Sequence, residues 1–283
     1  MKTNQTETER PKSLHITPRL ALPVVGGILA VVALYVIFFG FGPSMSESET
    51  KLAQESERIS AGVLDYWDKL QETGDLQLKK LVDGASQSYL LGDYPQAISH
   101  LELSLQLRTS EAQRTALLIL NGNSALMMGN PAQAELEYRR AWVVSEKVQD
   151  RTALASALGN LGCAFLRSGN PDSAQAFDQR ALELFKETGS RKEQGMELGN
   201  LGMAYQQRGS FQQALPYHQE ALAIFGEVDY PLGQVTQLGQ LGWIYEMTGN
   251  PDSALVFYQK ALEITKTMGF QQGQANQLSN IGL

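Results

Sequence analysis

The sequence predicts an all-α chain, a solenoid of stacked helix-turn-helix units with one membrane-spanning helix ahead of it. Three observations lead there. A five-residue phrase returns every forty residues, as Leu158-Gly159-Asn160-Leu161-Gly162, Leu198-Gly199-Asn200-Leu201-Gly202, Leu238-Gly239-Gln240-Leu241-Gly242 and Leu278-Ser279-Asn280-Ile281-Gly282. A fixed period of this length marks one supersecondary unit stacked on copies of itself. Small residues keep the same period in three columns: Gly129, Gly169, Gly209 and Gly249; Ala134, Ala174, Ala214 and Ala254; Ala141, Ala181, Ala221 and Ala261. Finally, Leu20 to Gly42 is an apolar run without a charged residue.

Taken in order, residues 1–19 read as a cytoplasmic tail and residues 20–42 as a transmembrane signal-anchor. A helix over that run would reach about 35 Å, enough for a bilayer core of about 30 Å. Lys2, Arg10, Lys12 and Arg19 precede it, whereas Lys51 is the only base in the fifteen residues that follow. The positive-inside rule therefore keeps the N-terminus cytoplasmic and places the rest of the chain outside, in a bacterial inner-membrane and periplasm setting. A cleaved signal peptide, cut after Ser44 or Ser46, is the alternative; its apolar core would normally be only seven to fifteen residues long. No cysteine follows the span to carry a lipid.

Residues 44–74 form a linker with a capping helix. Ser46-Glu47-Ser48-Glu49 has the capping-box pattern, Leu52, Ile59, Val63, Trp67 and Leu70 share one face, and Gly74 ends the segment. Such a helix would close the open end of a solenoid, whose first unit has no neighbour on one side. A dimerising helix near the membrane is the alternative.

Residues 76–270 hold about five units. Phe165, Tyr205 and Tyr245 lie between the phrase and the glycine, so each unit reads as a helix, a turn at the glycine and a second helix. Asn130-Pro131, Asn170-Pro171 and Asn250-Pro251 make the turn legible, with Asn as N-cap and Pro in the first helical position. Gly within a helix costs about 1 kcal/mol relative to Ala, so its regular use needs a compensating contact. Close helix crossing supplies one, and the expectation is that Gly162, Gly202 and Gly242 meet Ala174, Ala214 and Ala254.

These columns resemble the tetratricopeptide repeat: a large residue, Leu-Gly, an aromatic, then Ala, a bulky residue and Ala. Leu238, Leu241, Gly242, Tyr245, Ala254, Tyr258 and Ala261 match it nearly throughout. The leading Trp is replaced by Leu, the closing Pro is missing, and Asp178 and His218 stand where a bulky residue is usual. The forty-residue period and the Gly-Asn-Leu-Gly phrase are similar to the subclass of kinesin light chains, spindle-orienting G-protein regulators and bacterial scaffolds. The resemblance implies a right-handed solenoid. It weakens over residues 76–111, where Gly92, Ala97 and Ser104 hold the register. Residues 271–283 are a partial sixth repeat or a polar cap.

Composition narrows the chemistry. The chain has net charge −7, and its first 43 residues hold four bases and two acids, so the remainder is the more acidic part. That balance disfavours general nucleic-acid binding. Cys163 is the single cysteine, so no internal disulfide forms. His15, His100 and His218 are isolated, and no phosphate-binding loop or nucleophile elbow is present. The reading is no enzyme, no catalytic residue, no metal and no cofactor.

The groove of such an array is lined by the first helix of each pair. Asn160, Asn200, Gln240 and Asn280 would there form a ladder of carboxamides able to hold a peptide main chain, the role that the resemblance also implies. Asn residues that only brace neighbouring helices are the alternative. Gly159, Gly199 and Gly239 would let a ligand backbone approach. One turn on, Cys163, Met203 and Trp243 share a column, followed by Arg167, Gln207 and Met247. The expected function is a membrane-anchored scaffold or adaptor that binds a protein or peptide on the extracytoplasmic side. The alternatives are the input domain of a membrane kinase or cyclase sensor, and a cytoplasmic-facing adaptor.

Overall fold

The computed structural model describes Leu70 and residues 74–282. The expected cytoplasmic tail, the membrane span and nearly all of the capping segment lie outside the described residues. Among the described residues no helix is long and apolar enough to cross a membrane.

Over residues 76–281 of the described part, eleven helices follow in chain order: α1 (Leu76–Leu90), α2 (Tyr94–Gln106), α3 (Glu111–Met127), α4 (Pro131–Lys147), α5 (Arg151–Arg167), α6 (Pro171–Thr188), α7 (Arg191–Gln207), α8 (Phe211–Glu227), α9 (Pro231–Met247), α10 (Pro251–Thr267) and α11 (Gln271–Ile281). Each packs against the helix before it and the helix after it, and α3, α5, α7 and α9 also touch in sequence. That is the contact pattern of a solenoid, in which every unit is stabilised by its neighbours. Odd-numbered helices thus form one layer and even-numbered helices the other.

The turns within pairs repeat closely. Gly92, Gly129, Gly169, Gly209 and Gly249 all adopt φ between 71° and 77°, the left-handed conformation that glycine tolerates best. In the last four units the next N–H reaches back to the helix, from Asn130 to Ala125, Asn170 to Phe165, Ser210 to Tyr205 and Asn250 to Tyr245, at 2.8–2.9 Å. These are Schellman closures, and they satisfy carbonyls that the helix end would leave bare. Between pairs the same conformation falls on Gly189 and Gly269, but also on Gln149 (φ 58°) and Asp229 (φ 49°).

Capping follows the sequence in part. Asn130 and Asn170 accept from the backbone N–H of Gln133 and Ser173, as their position before Pro predicts. Asn250 does not cap; its amide nitrogen instead donates to the Thr248 carbonyl at 3.1 Å. Ser110 and Gln113 form a full capping box at α3.

The alanine columns lie in the core: Ala134, Ala174 and Ala214 are fully buried, as are Ala141, Ala181, Ala221 and Ala261. The helical glycines differ from expectation. Gly162, Gly202 and Gly242 face Asp178, His218 and Tyr258, one turn beyond the alanines with which they were expected to pair, and Gly122 faces Tyr138 in the same way. The reason is steric. An alanine needs no partner without a Cβ, whereas a ring or carboxylate crossing the interface does.

Rings link the two layers. Phe165 stacks on Phe177, Tyr205 on Tyr217 and Tyr245 on Phe257, each with centroids 5.3 Å apart and planes within 16°.

Candidate peptide-binding face

The odd-numbered helices carry every residue proposed for the groove, but the structure does not present them as four equivalent rungs. Asn160, on α5, is half-buried and its Nδ2 donates to the Ser156 carbonyl one turn back at 2.8 Å. Asn200, on α7, is buried, and its Nδ2 donates to Glu197 Oε2 at 3.3 Å. Gln240, on α9, is half-buried and accepts from Gln206 Nε2 at 3.1 Å. Asn280 is exposed on α11, the last described helix.

The second column divides. Met203 is 4% exposed and packs with Leu166, Ala174 and Ala204, which makes it core rather than groove. Trp243 is half-buried, edge-on to Phe211 at 5.5 Å, and Met247 is 53% exposed. Cys163 is half-buried and in no disulfide.

Arg167 and Gln207 have a role that the sequence did not suggest. Arg167 Nη2 reaches the Leu126 carbonyl at 3.5 Å, and Gln207 Nε2 donates to the Leu166 carbonyl at 3.1 Å, in each case on the preceding odd-numbered helix. Each thus adds a bond to a carbonyl near a helix C-terminus that already accepts from the turn glycine, and ties consecutive units together. Arg167 is the only charged side chain among the groove residues named.

The first glycine of the phrase is occupied from within. Where a Cβ on Gly159 would stand lies the carboxylate of Glu197, reaching across from α7, and Gly199 and Gly239 are buried as well. At Gly159 the small residue accommodates the next unit of the solenoid, which corrects for that position the expectation that it leaves room for a ligand backbone.

Sequence reasoning missed the polar links that cross the interface. Tyr138 Oη donates to Asn123 Oδ1 at 2.6 Å, and Tyr258 Oη to Glu246 Oε2 at 2.9 Å. Fully buried His218 bridges Gln206 and Gln237, with both separations 2.8 Å. A polar residue in the bulky column was the available signal, because a buried polar group must find a partner. Among the described residues no cluster of His, Cys, Asp or Glu could hold a metal ion.

Burial, and then the Glu246 carboxylate that accepts its hydrogen bond, hold the Tyr258 phenol well above its ordinary value. An unfolded tyrosine ionises near pH 10 while Tyr258 stays protonated in the fold. Its contribution to stability is thus whole below about pH 10 and is lost as pH rises toward the folded value. Tyr258→Phe should flatten this alkaline decline in urea melts between pH 8 and pH 11. An unchanged decline would show that the phenol carries no such linkage.

Among curated proteins none matches this sequence significantly. Solved structures of the same shape include BtubC (BKLC) from P. vanneervenii, 20% identical, with a TM-score of 0.57 over 77% of this chain and 92% of that one. The Rap conjugation gene regulator of plasmid pLS20, solved in complex with the Phr* peptide, is 17% identical with a TM-score of 0.63 over 90% and 78%. A STAND protein with a tetratricopeptide repeat sensor from Pyrococcus horikoshii is 16% identical with a TM-score of 0.65 over 93% and 41%. At these identities the likeness is one of fold. The tetratricopeptide repeat profile itself matches residues 113–187 and 196–267, more than half the sequence, and the chain belongs to the tetratricopeptide repeat family.

Proposed function

We propose that this repeat protein is a scaffold that binds an extended peptide, or such a segment of a protein, along its odd-numbered helices. The observation that carries the reading is the recurrence of Asn160, Asn200 and Gln240 at one place in three successive units. A face of carboxamides with hardly any charge suits recognition of a peptide main chain, whose donors and acceptors are uncharged. The Rap regulator holding its Phr* peptide is a protein of this shape that takes such a ligand.

The bonds already made by the amides set the form of the test. The Ser156 carbonyl that Asn160 reaches is an i−4 backbone acceptor within the same helix, so Asn160→Ala should leave the melting temperature nearly unchanged. Its affinity for a partner isolated with the parent chain should fall by about 1–2 kcal/mol. Asn200→Ala should lower both affinity and melting temperature, because buried Glu197 loses a donor. Unchanged affinity in Asn160→Ala would overturn the reading.

The scaffold is further proposed to be anchored by Leu20 to Gly42 with the repeats outside the cytoplasm. The support is the charge asymmetry around that run. A reporter active only after export, fused behind Leu283, should be active. A fluorescent cytoplasmic fusion at the same site, with the exported reporter silent, would reverse the topology.

A further inference from the structure

We propose that the outer face of α4 is a self-association surface, on which a second copy of this chain docks about a two-fold axis. The groove lies on the other layer of helices, so nothing here depends on a peptide ligand. Beside α4 and the first half of α3 is an open depression of about 340 Å³. It reaches down to the core residue Leu118, with Val144 next to it. Leu136 and Val143 stand on its rim, two turns apart along one side of the helix, and are 52% and 64% exposed.

Single apolar side chains on a surface are ordinary. These two depart from the rest of the repeat. In the place of Val143 the later units put Glu183, Ala223 and Glu263, all exposed, and in the place of Leu136 they put Ala176, Pro216 and Val256. One unit earlier, exposed Leu103 on α2 takes the position that is charged in every later unit, as Arg140, Arg180, Glu220 and Lys260. Water gives no reason to exchange charges for branched apolar side chains in two adjoining units, whereas a covering surface does. The depression itself follows from the short second helix. With 13 residues against 17 or 18 in α4, α6, α8 and α10, α2 ends about one turn early and leaves the flank of α4 open on that side.

The shape and charge of this face indicate what covers it. A two-fold axis sets residue i of one copy against residue j of the other and j against i, so a surface that carries both a hollow and a projection can fit itself. Val143 and Leu136 of each copy would enter the hollow of the other. The charges around that apolar centre balance. Arg139 pairs with Glu135 at 2.8 Å and Arg140 with Glu137 at 2.7 Å, while Arg114 lines the hollow and Glu102 on α2 is near enough for its charge to act on Glu137. A face of one sign would repel its own copy and draw a partner of the other sign. This one has three bases and three acids, so it neither repels its copy nor attracts a strongly charged partner.

Sedimentation equilibrium of the full-length chain in density-matched detergent, from micromolar to near-millimolar concentration, tests this. The parent chain should show a monomer–dimer equilibrium. Val143→Glu copies Glu183 and Glu263, so it should fold, and it should raise the dissociation constant by about tenfold or more because it sets a carboxylate against an apolar hollow. Leu136→Ala, which copies Ala176, should weaken the dimer in the same direction and keeps the test decisive if the glutamate variant melts early. Val256→Glu on α10 changes an exposed apolar residue of the same layer away from the hollow and should leave the dissociation constant unchanged. A parent chain that stays monomeric over the whole range would overturn the proposal, as would equal dissociation constants for the parent and Val143→Glu. Equal losses in Val143→Glu and Val256→Glu would place the contact elsewhere, and growth beyond a dimer would show that it is not two-fold; either result also overturns it.

Discussion

Tyr138→Ala should destabilise the chain by about 3–5 kcal/mol, the range for removing a large buried ring. Tyr138 is fully buried on α4, against Gly122 of α3, and its hydroxyl donates to Asn123 at 2.6 Å. Truncation would open a void between two helices and leave Asn123, itself 2% exposed, with an unpaired oxygen. Tyr138→Phe separates the two effects. It keeps the ring and removes the donor, so it should cost about 1–3 kcal/mol. Urea denaturation of both variants gives the comparison, and equal losses would show that packing of the ring contributes little.

Gly202→Leu should cost about 3 kcal/mol from overpacking alone. A Cβ at Gly202 would stand 2.5 Å from His218 Cε1 and Nε2, nearer than atoms of this kind approach. Either α7 and α8 move apart or His218 abandons Gln206 and Gln237, which adds about 1–3 kcal/mol for each buried polar group left unpaired. Neighbouring units stabilise one another, so hydrogen-exchange protection should fall first over residues 195–225 and then in the adjoining pairs. Unchanged protection there would mean that Gly202 does not sit at the crossing. Gly226→Ala is the control, since open space surrounds that glycine on α8. It should stabilise the chain by about 0.5–1 kcal/mol through helix propensity.

Much of this architecture is legible in the sequence because it is periodic. The phrase from Leu158 to Gly162, repeated three more times, and the columns of Gly and Ala set helix, turn and helix by local chemistry: glycine at positive φ, Asn before Pro, and apolar residues on one face. The period also places Asn160, Asn200 and Gln240 on equivalent helices without any structure.

Partnership across the interface was beyond it. The sequence alone determined that Gly162, Gly202 and Gly242 mark close approach, but only the tertiary structure decided that Asp178, His218 and Tyr258 fill the space rather than the alanines one turn earlier. Likewise it took the packed fold to assign Gly159 to Glu197, Met203 to the core, and Arg167 and Gln207 to carbonyls of the preceding unit. The physical reason is one of range. Propensity, capping and periodicity act over a few residues and repeat with the unit, whereas the contact of a long side chain depends on the rotation and spacing of helices whose contacting residues lie 16 to 41 positions apart in the sequence.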